Sequence, residues 1–125
     1  MTRITGRRIL VVDDEPLIVS TIVRALGRDN AVVGETSAER GLERVLSEPP
    51  FDVIICDMMM AGLTGMDIYE KIAHERPGME RRIVFVSGGA HTARTRAFLS
   101  KVPNRCLSKP FAPEGLSSIL AQVAG

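Results

Sequence analysis

The chain has 125 residues and a mass of 13.6 kDa, the size of one domain that buries roughly two thirds of its unfolded surface. Its hydrophobic fraction of 45% and charged fraction of 25% exclude wholesale disorder. The formal net charge is +1, so a broadly basic surface for nucleic acid is not expected. No apolar run approaches the ~18 residues of a membrane span. We therefore expect a cytoplasmic domain with no membrane contact and no nucleic-acid contact through this chain.

Short runs rich in Val and Ile alternate with segments of helical spacing along the chain. Apolar residues three and four positions apart predict the intervening helices. Residues 1–7 are expected to form a tail, loose over the first six residues, and residues 8–125 the folded domain. The apolar runs predict five strands, at Arg8–Asp13, Ala31–Glu35, Asp52–Asp57, Arg82–Ser87 and Arg105–Ser108.

Several helices have recognisable start signals. Thr36 followed by Glu39 predicts a capping box for the second helix, and Thr64 followed by Asp67 predicts a similar but weaker start for the third. The fourth helix, at Thr92–Lys101, has few large apolar side chains to bury. We expect it to be the least firmly docked of the helices.

The strand runs are apolar at consecutive positions rather than at alternating ones, as in Ile9–Val12 and Val53–Cys56. Both faces of such a strand must be covered, which is typical of a parallel sheet between two layers of helices. Five β-α repeats with right-handed crossovers predict a three-layer, doubly wound α/β fold of the (β/α)5 type.

Cysteines, histidines and consecutive methionines offer no convincing metal site. Cys56 and Cys106 are far apart in the sequence and belong to no CxxC motif, so we expect two small buried hydrophobic side chains. His74 and His91 lack partners at ligand spacing and are expected at the surface. The run Met58–Met60 is expected to pack in the interior.

Polar side chains follow the predicted strands where these end. The carboxyl ends of parallel strands meet at one edge of the sheet, so these side chains should converge there. Three carboxylates and one ammonium give a formal charge of −2, and oxygen ligands without nearby Cys or His favour Mg²⁺. The converging residues are Asp13 and Asp14 after the first strand, Asp57 at the third, Ser87 at the fourth and Lys109 after the fifth.

This set suits chemistry at phosphorus. Asp57 is the candidate nucleophile, while a metal ion and Lys109 would hold phosphoryl oxygens and Ser87 would donate a hydrogen bond. Each fragment alone has a simpler explanation as a helix start or a turn. Their joint placement at one edge is what indicates a site.

The chain resembles the receiver domain of two-component response regulators from roughly Arg8 to Val123. The resemblance implies a flavodoxin-like sheet with strand order 2-1-3-4-5. The motifs that carry it are Leu10–Glu15, Phe51–Met60 with Gly65 and Asp67 following, Val84–Gly88 and Leu107–Phe111.

The resemblance also implies roles for individual residues. Asp57 would accept a phosphoryl group from a histidine kinase or a histidine phosphotransfer domain. Asp13 and Asp14, together with Asp57 and the backbone carbonyl of Met59, would arrange Mg²⁺, partly through water. Ser87 would turn toward the phosphoryl group.

Lys109 corresponds to the lysine that pairs with the phosphoryl group, and the bond before Pro110 resembles the cis peptide of the family. Cys106 stands where many members have an aromatic residue that swings inward on activation, and Ala61 stands where many have Pro. A cysteine cannot make that rotation, so the usual coupling of Ser87 to the surface of the last strand is not expected. Alanine in place of Pro predicts a less rigid loop after Asp57.

Further expectations follow from the same resemblance. Met59 and Gly89 replace residues that are often polar, so we expect no dedicated machinery for self-hydrolysis. With the fourth strand between their own strands, Cys56 and Cys106 lie beyond disulfide reach. The domain is expected to be a monomer or a weak homodimer.

Other functions remain as alternatives. An Mg²⁺-dependent phosphohydrolase with an aspartyl nucleophile usually has a second Asp two residues after the first, where this chain has Met59. A nucleotide-binding module would need a glycine motif that Gly62–Gly65 does not match, and a pseudo-receiver would lack some of the polar residues present here. The chain is expected to be either a stand-alone regulator or the receiver of a hybrid histidine kinase, which Cys106 and the segment Gly88–Thr92 favour by analogy.

Overall fold

A computed structural model describes residues 3–89 and 91–124. Strands and helices alternate along this part of the chain, as the apolar runs predict. The strands are β1 Arg8–Val12, β2 Ala31–Glu35, β3 Val53–Asp57, β4 Ile83–Ser87 and β5 Cys106–Ser108. The helices are α1 Pro16–Leu26, α2 Ala38–Ser47, α3 Gly65–Glu75, α4 Ala93–Lys101 and α5 Pro113–Ala124, with a 3-10 turn at Met79–Arg82 before β4.

The strands pair in parallel in the order β2-β1-β3-β4-β5. This confirms the predicted fold class and strand order. Every residue of β3 and β4 is buried, because helices cover both faces of these central strands. Ile54 and Cys56 pack toward α2 and α3, whereas Ile55 and Val84 pack toward α1 and α5.

Four predicted strand limits are off by one residue. The first strand ends before Asp13, and the other strands begin after Asp52, Arg82 and Arg105. Each of these residues is polar, and each flanks an apolar run. Backbone hydrogen bonds to the neighbouring strand still involve Asp13, Asp52 and Arg105, so these residues lie just beyond the strand ends rather than outside the sheet.

The segment before β1 is docked, so the prediction of a loose tail is wrong for its described residues. Ile4 is 3% exposed and belongs to the apolar cluster between the sheet and helices α1 and α5. Its N–H donates to Ser117 Oγ at 3.2 Å, and its carbonyl accepts from Asn30 Nδ2 at 3.0 Å. One apolar side chain and several polar contacts fix this segment, including the hydrogen bond from the Gly6 N–H to the Asp29 carbonyl.

Helix caps fall differently from the prediction. Ser37, not Thr36, caps α2 and accepts a hydrogen bond from the Arg40 N–H at 3.2 Å, so the capping box predicted at Thr36 is wrong. The full capping box lies at α3, where Thr64 and Asp67 exchange side-chain-to-backbone hydrogen bonds. The start predicted there is confirmed, and it fixes the loop that follows β3.

The two cysteines are free, and their arrangement agrees with the expected strand order. Cys56 on β3 and Cys106 on β5 both align with Phe85 on the strand between them. Helix α4 buries only Thr95, which agrees with the weak docking expected of it. None of the described helices has the length and apolar character that crossing a membrane requires.

Candidate functional site

The sheet brings the predicted polar residues to one edge. Asp13 directly follows β1, Asp57 ends β3 and Ser87 ends β4. Carboxylate oxygens of Asp13, Asp14 and Asp57 all lie within 4.8 Å of one another. Asp13 and Asp57 are 1% and 5% exposed, so two of the three carboxylates are withdrawn from water.

Lys109 places one ammonium among these carboxylates. Its Nζ lies 2.8 Å from Asp13 Oδ2 and 3.5 Å from Asp57 Oδ2. Glu15 Oε2 is a third partner at 3.1 Å, which the sequence interpretation did not include although Glu15 directly follows the acidic pair. The Lys109 N–H donates to the Ser87 carbonyl at 2.8 Å, and the Lys109–Pro110 peptide is cis, as the resemblance implied.

Backbone contacts orient the acidic pair. Asp13 Oδ1 accepts a hydrogen bond from the Glu15 N–H at 3.0 Å. Asp14 Oδ2 accepts one from the Ala61 N–H at 3.3 Å, which ties the end of β1 to the loop after β3. The carboxylates therefore keep a defined spacing before any ligand arrives.

Charge crowding shifts the ionisation of the site. Burial, followed by the Asp13 charge, raises the pKa of Asp57 to about 6, against the opposing effects of Lys109 and the Met59 N–H. Burial alone would lower the pKa of Lys109, but its contacts with Asp13 and Glu15 and the charge of Asp57 raise it above its ordinary value. At neutral pH, Asp57 is therefore largely an anion beside a firmly protonated lysine.

The donor set fits Mg²⁺. All three carboxylates offer hard oxygen ligands, and they lie close enough together to share one ion. Within the described residues, buried Asp13 Oδ2 accepts no well-formed hydrogen bond, and its counter-charge is the Lys109 ammonium. One ammonium leaves a formal charge of −2 on the three carboxylates, and a divalent cation would offset it. The metal role of the Met59 carbonyl stays a prediction.

His91 contacts the site, so its prediction as a plain surface histidine is wrong. Its Nε2 lies 2.9 Å from Ser87 Oγ, and the residue is half-buried. His74, in contrast, is exposed as expected. The spacing of four residues from Ser87 is a weak signal, because the contact depends on the path of the loop through Gly88 and Gly89.

The three consecutive methionines differ in burial. Met58 and Met60 are buried, as the packing interpretation predicts, whereas Met59 is 57% exposed. Met59 lies two residues after Asp57, and a thioether has no proton to transfer. A proton donor for a leaving group is therefore missing at this position.

Comparison with known proteins places this site in context. The sequence model of the response regulator receiver domain matches residues 9–121. The nitrate/nitrite response regulator protein NarL of Escherichia coli is 31% identical over 119 residues, covering 93% of this chain and 54% of NarL. The sensor histidine kinase GacS of Pseudomonas protegens is 28% identical over 124 residues, covering 94% of this chain and 13% of GacS. The chain thus spans about half of one relative and a small part of the other.

Solved structures agree with these matches. A receiver domain protein from Methanospirillum hungatei superposes with a TM-score of 0.83 at 25% identity, covering 96% of this chain and 94% of that one. A receiver domain protein from Clostridium thermocellum superposes with a TM-score of 0.79 at 29% identity, covering 94% of each chain. The likeness in fold therefore extends over nearly the whole chain.

Proposed function

The chain belongs to the response regulator receiver domain family of two-component signalling, and from this premise we propose that Asp57 is its phosphoacceptor. The proposed donor is the phosphohistidine of a histidine kinase or a histidine phosphotransfer domain. The observation that carries the proposal is the cluster of three carboxylates, whose oxygens lie within 4.8 Å of one another, with Lys109 Nζ 3.5 Å from Asp57 Oδ2.

The proposed transfer is a single displacement at phosphorus. An ionised Asp57 oxygen attacks the phosphorus, the bond from phosphorus to the histidine nitrogen breaks, and that nitrogen keeps the electron pair. The second ring nitrogen of the phosphohistidine carries a proton, so the histidine leaves as a neutral imidazole and the other product is an aspartyl phosphate. The pKa of about 6 supports this role, because the nucleophile is ionised at neutral pH yet is poorly solvated.

Neighbouring residues would stabilise the transferred group. Asp13, Asp14 and Asp57 would hold Mg²⁺, which when bound offsets charge on the phosphoryl oxygens. Lys109 is already oriented by two carboxylates and would pair with a phosphoryl oxygen. The Ser87 hydroxyl would donate a hydrogen bond to another.

The phosphohydrolase alternative requires a general acid two residues after Asp57, and this chain does not have one there. Met59 stands where the general acid of such an enzyme would lie, and its exposed thioether donates no proton. We propose that the chain takes a phosphoryl group, releases it slowly and turns over no external substrate. Its cytoplasmic location and its state as a monomer or a weak homodimer stay predictions.

Intact-mass spectrometry after incubation with acetyl phosphate and Mg²⁺ tests the assignment. The wild-type chain should gain one phosphoryl group, and Asp57→Asn should gain none. Asp29→Asn is the matched control, since Asp29 is exposed and lies outside the acidic edge, and it should behave as wild type. An unmodified wild-type chain, or a modified Asp57→Asn, contradicts the proposal.

A further inference from the structure

The Ser87 hydroxyl, which the proposed function assigns to the phosphoryl group, already has another partner. Ser87 Oγ lies 2.9 Å from His91 Nε2, and Ser87 is 5% exposed. Across residues 3–89 and 91–124, this imidazole is the side chain that hydrogen-bonds the hydroxyl. Rotation of the serine side chain to another staggered position would carry Oγ away from the ring. A rotation that brought Oγ to a phosphoryl group on Asp57 would therefore break its contact with the imidazole.

His91 is also attached to the start of α4. Its carbonyl accepts a hydrogen bond from Arg96 Nη1 at 2.6 Å. The next residue, Thr92, is the N-cap of the helix and accepts from the Thr95 N–H at 3.1 Å. The imidazole of His91 thus contacts the end of β4, while its backbone carbonyl contacts the first turn of α4.

The second half of α4 is anchored to the core, where Phe98 packs edge-on against Phe85 and Tyr69 with ring centroids 5.7 and 5.3 Å apart. Nearer the N-terminus, the buried residue of the helix is Thr95. At that end, the contact of His91 with β4 is a substantial share of what fixes the position of the first turn.

We infer that His91 is a positioning residue that holds Ser87 and the α4 N-terminus together until Asp57 is phosphorylated. When Ser87 turns to the phosphoryl group, the imidazole loses its partner and the loop before α4 is released. This inference rests on the proposed function. It gives the domain a route from the site to α4 that does not pass through the Cys106 side chain, which cannot act as an aromatic switch.

The competition predicts a change in affinity for a phosphoryl mimic. His91→Ala should bind beryllofluoride in the presence of Mg²⁺ about two- to tenfold more tightly than wild type, because binding no longer breaks the contact with Ser87. His91→Gln retains a side-chain amide of similar reach and should lie close to wild type. His74→Ala, at an exposed histidine, is the control and should leave the affinity unchanged.

Amide hydrogen exchange tests the release of α4, first in the free chain and then after addition of beryllofluoride. Amides of residues 92–96 should exchange faster in His91→Ala than in wild type, while those of β3 stay protected. Addition of beryllofluoride should speed exchange of the same amides in wild type and change them little in His91→Ala. A merely structural role for His91 would not produce this loss of response.

The outcomes separate the two proposals. Equal or weaker beryllofluoride binding by His91→Ala, or an α4 response that persists in it, overturns the role of His91 alone. A wild-type chain that binds no beryllofluoride and takes no phosphoryl group from acetyl phosphate overturns the proposed function together with this inference. If His91→Ala fails to fold, His91→Gln supplies the test. Faster exchange of α4 amides in His91→Gln than in wild type would contradict the prediction that glutamine keeps the contact with Ser87.

Discussion

Lys109 Nζ lies closer to Asp13 than to Asp57, at 2.8 Å against 3.5 Å. Asp13 is the more deeply buried carboxylate and has more need of a counter-charge. The lysine is therefore held mainly by a residue that does not react. Its ammonium stays beside Asp57 without neutralising it fully, which agrees with a pKa of about 6 for that carboxyl.

Removal of the ammonium should destabilise the fold. Lys109→Met leaves Asp13, Asp57 and Glu15 without their shared cation, and a buried charge that loses its partner costs about 2–4 kcal/mol. Urea unfolding at neutral pH in the presence of a chelator measures the loss. Lys101→Met, at an exposed lysine, should stay within about 0.5 kcal/mol of wild type. Equal stability of the two variants would contradict the role of Lys109.

Asp57 should make stability depend on pH in a defined direction. Its pKa is raised from 3.8 to about 6 in the folded state, so the native chain binds more protons than the unfolded chain between these values. Stability contributed by the protonated carboxyl is therefore lost as pH rises through about 6. Without Mg²⁺ at neutral pH, Asp57→Asn should be about 1–3 kcal/mol more stable than wild type.

Low pH and added Mg²⁺ serve as internal controls for the stability difference between Asp57→Asn and wild type. The advantage of Asp57→Asn should shrink toward pH 4, where wild-type Asp57 is protonated in the folded state. Mg²⁺ should stabilise wild type by about 1.4 kcal/mol at ten times its dissociation constant and should stabilise the variant less. An Asp57→Asn chain that is less stable than wild type across the whole range would refute the raised pKa.

The fold and the acidic edge are predictable from sequence for a common reason. Strands such as β3 are apolar at every position and then stop at a polar residue, so the pattern marks both the buried sheet and the ends where Asp57 and Ser87 converge. Lys109 directly follows β5, which ends at the same edge, so its position near the carboxylates is expected as well. Local periodicity is sufficient for the α/β class and for this convergence, whereas the strand order came from the resemblance to receiver domains.

Contacts that depend on loop paths are not predictable in this way. Ile4 is a single apolar residue in a polar segment and has no periodicity to reveal its burial. The contact between His91 and Ser87 depends on how the chain turns through Gly88 and Gly89. Ser37 and Thr36 are both good caps, and tertiary packing of α2 decides between them.

Two helical glycines should respond oppositely to alanine. A β-carbon on Gly41 of α2 would lie 2.6 and 2.8 Å from the methyl groups of buried Val12, so Gly41→Ala should cost about 1–3 kcal/mol. A β-carbon on Gly115 of α5 meets none of the described atoms within 4 Å. Gly115→Ala should therefore gain about 0.5–1 kcal/mol from helix propensity.

Urea unfolding of both variants checks the prediction, and a double variant identifies the cause. Val12→Ala removes the methyl groups that the new side chain would strike, so Gly41→Ala should cost less in that background than in wild type. If the cost is the same in both backgrounds, the contact with Val12 is not its origin. Destabilisation by Gly115→Ala would show that α5 packs more closely there than the structure describes.

Leu17 should matter for transfer between proteins rather than for the chemistry at Asp57. It is 75% exposed at the start of α1, two residues beyond Glu15 at the acidic edge, and exposed Met59 lies beside the same edge. We expect the exposed Leu17 side chain to contact the proposed partner, because that partner must bring its phosphohistidine to Asp57 at the same edge. Leu17→Glu should therefore slow phosphoryl transfer from that protein donor by about tenfold or more, since a buried leucine contributes about 1.5–3 kcal/mol.

Acetyl phosphate distinguishes docking from catalysis, because this small donor needs no protein surface. Leu17→Glu should accept its phosphoryl group at the wild-type rate, as monitored by intact mass over time. Ala25→Glu is the charge-matched control, since Ala25 is exposed near the other end of α1 and should leave both reactions unchanged. If Leu17→Glu slows both donors equally, the substitution acts on the acidic site itself, and α1 is not the docking surface for the phosphohistidine donor.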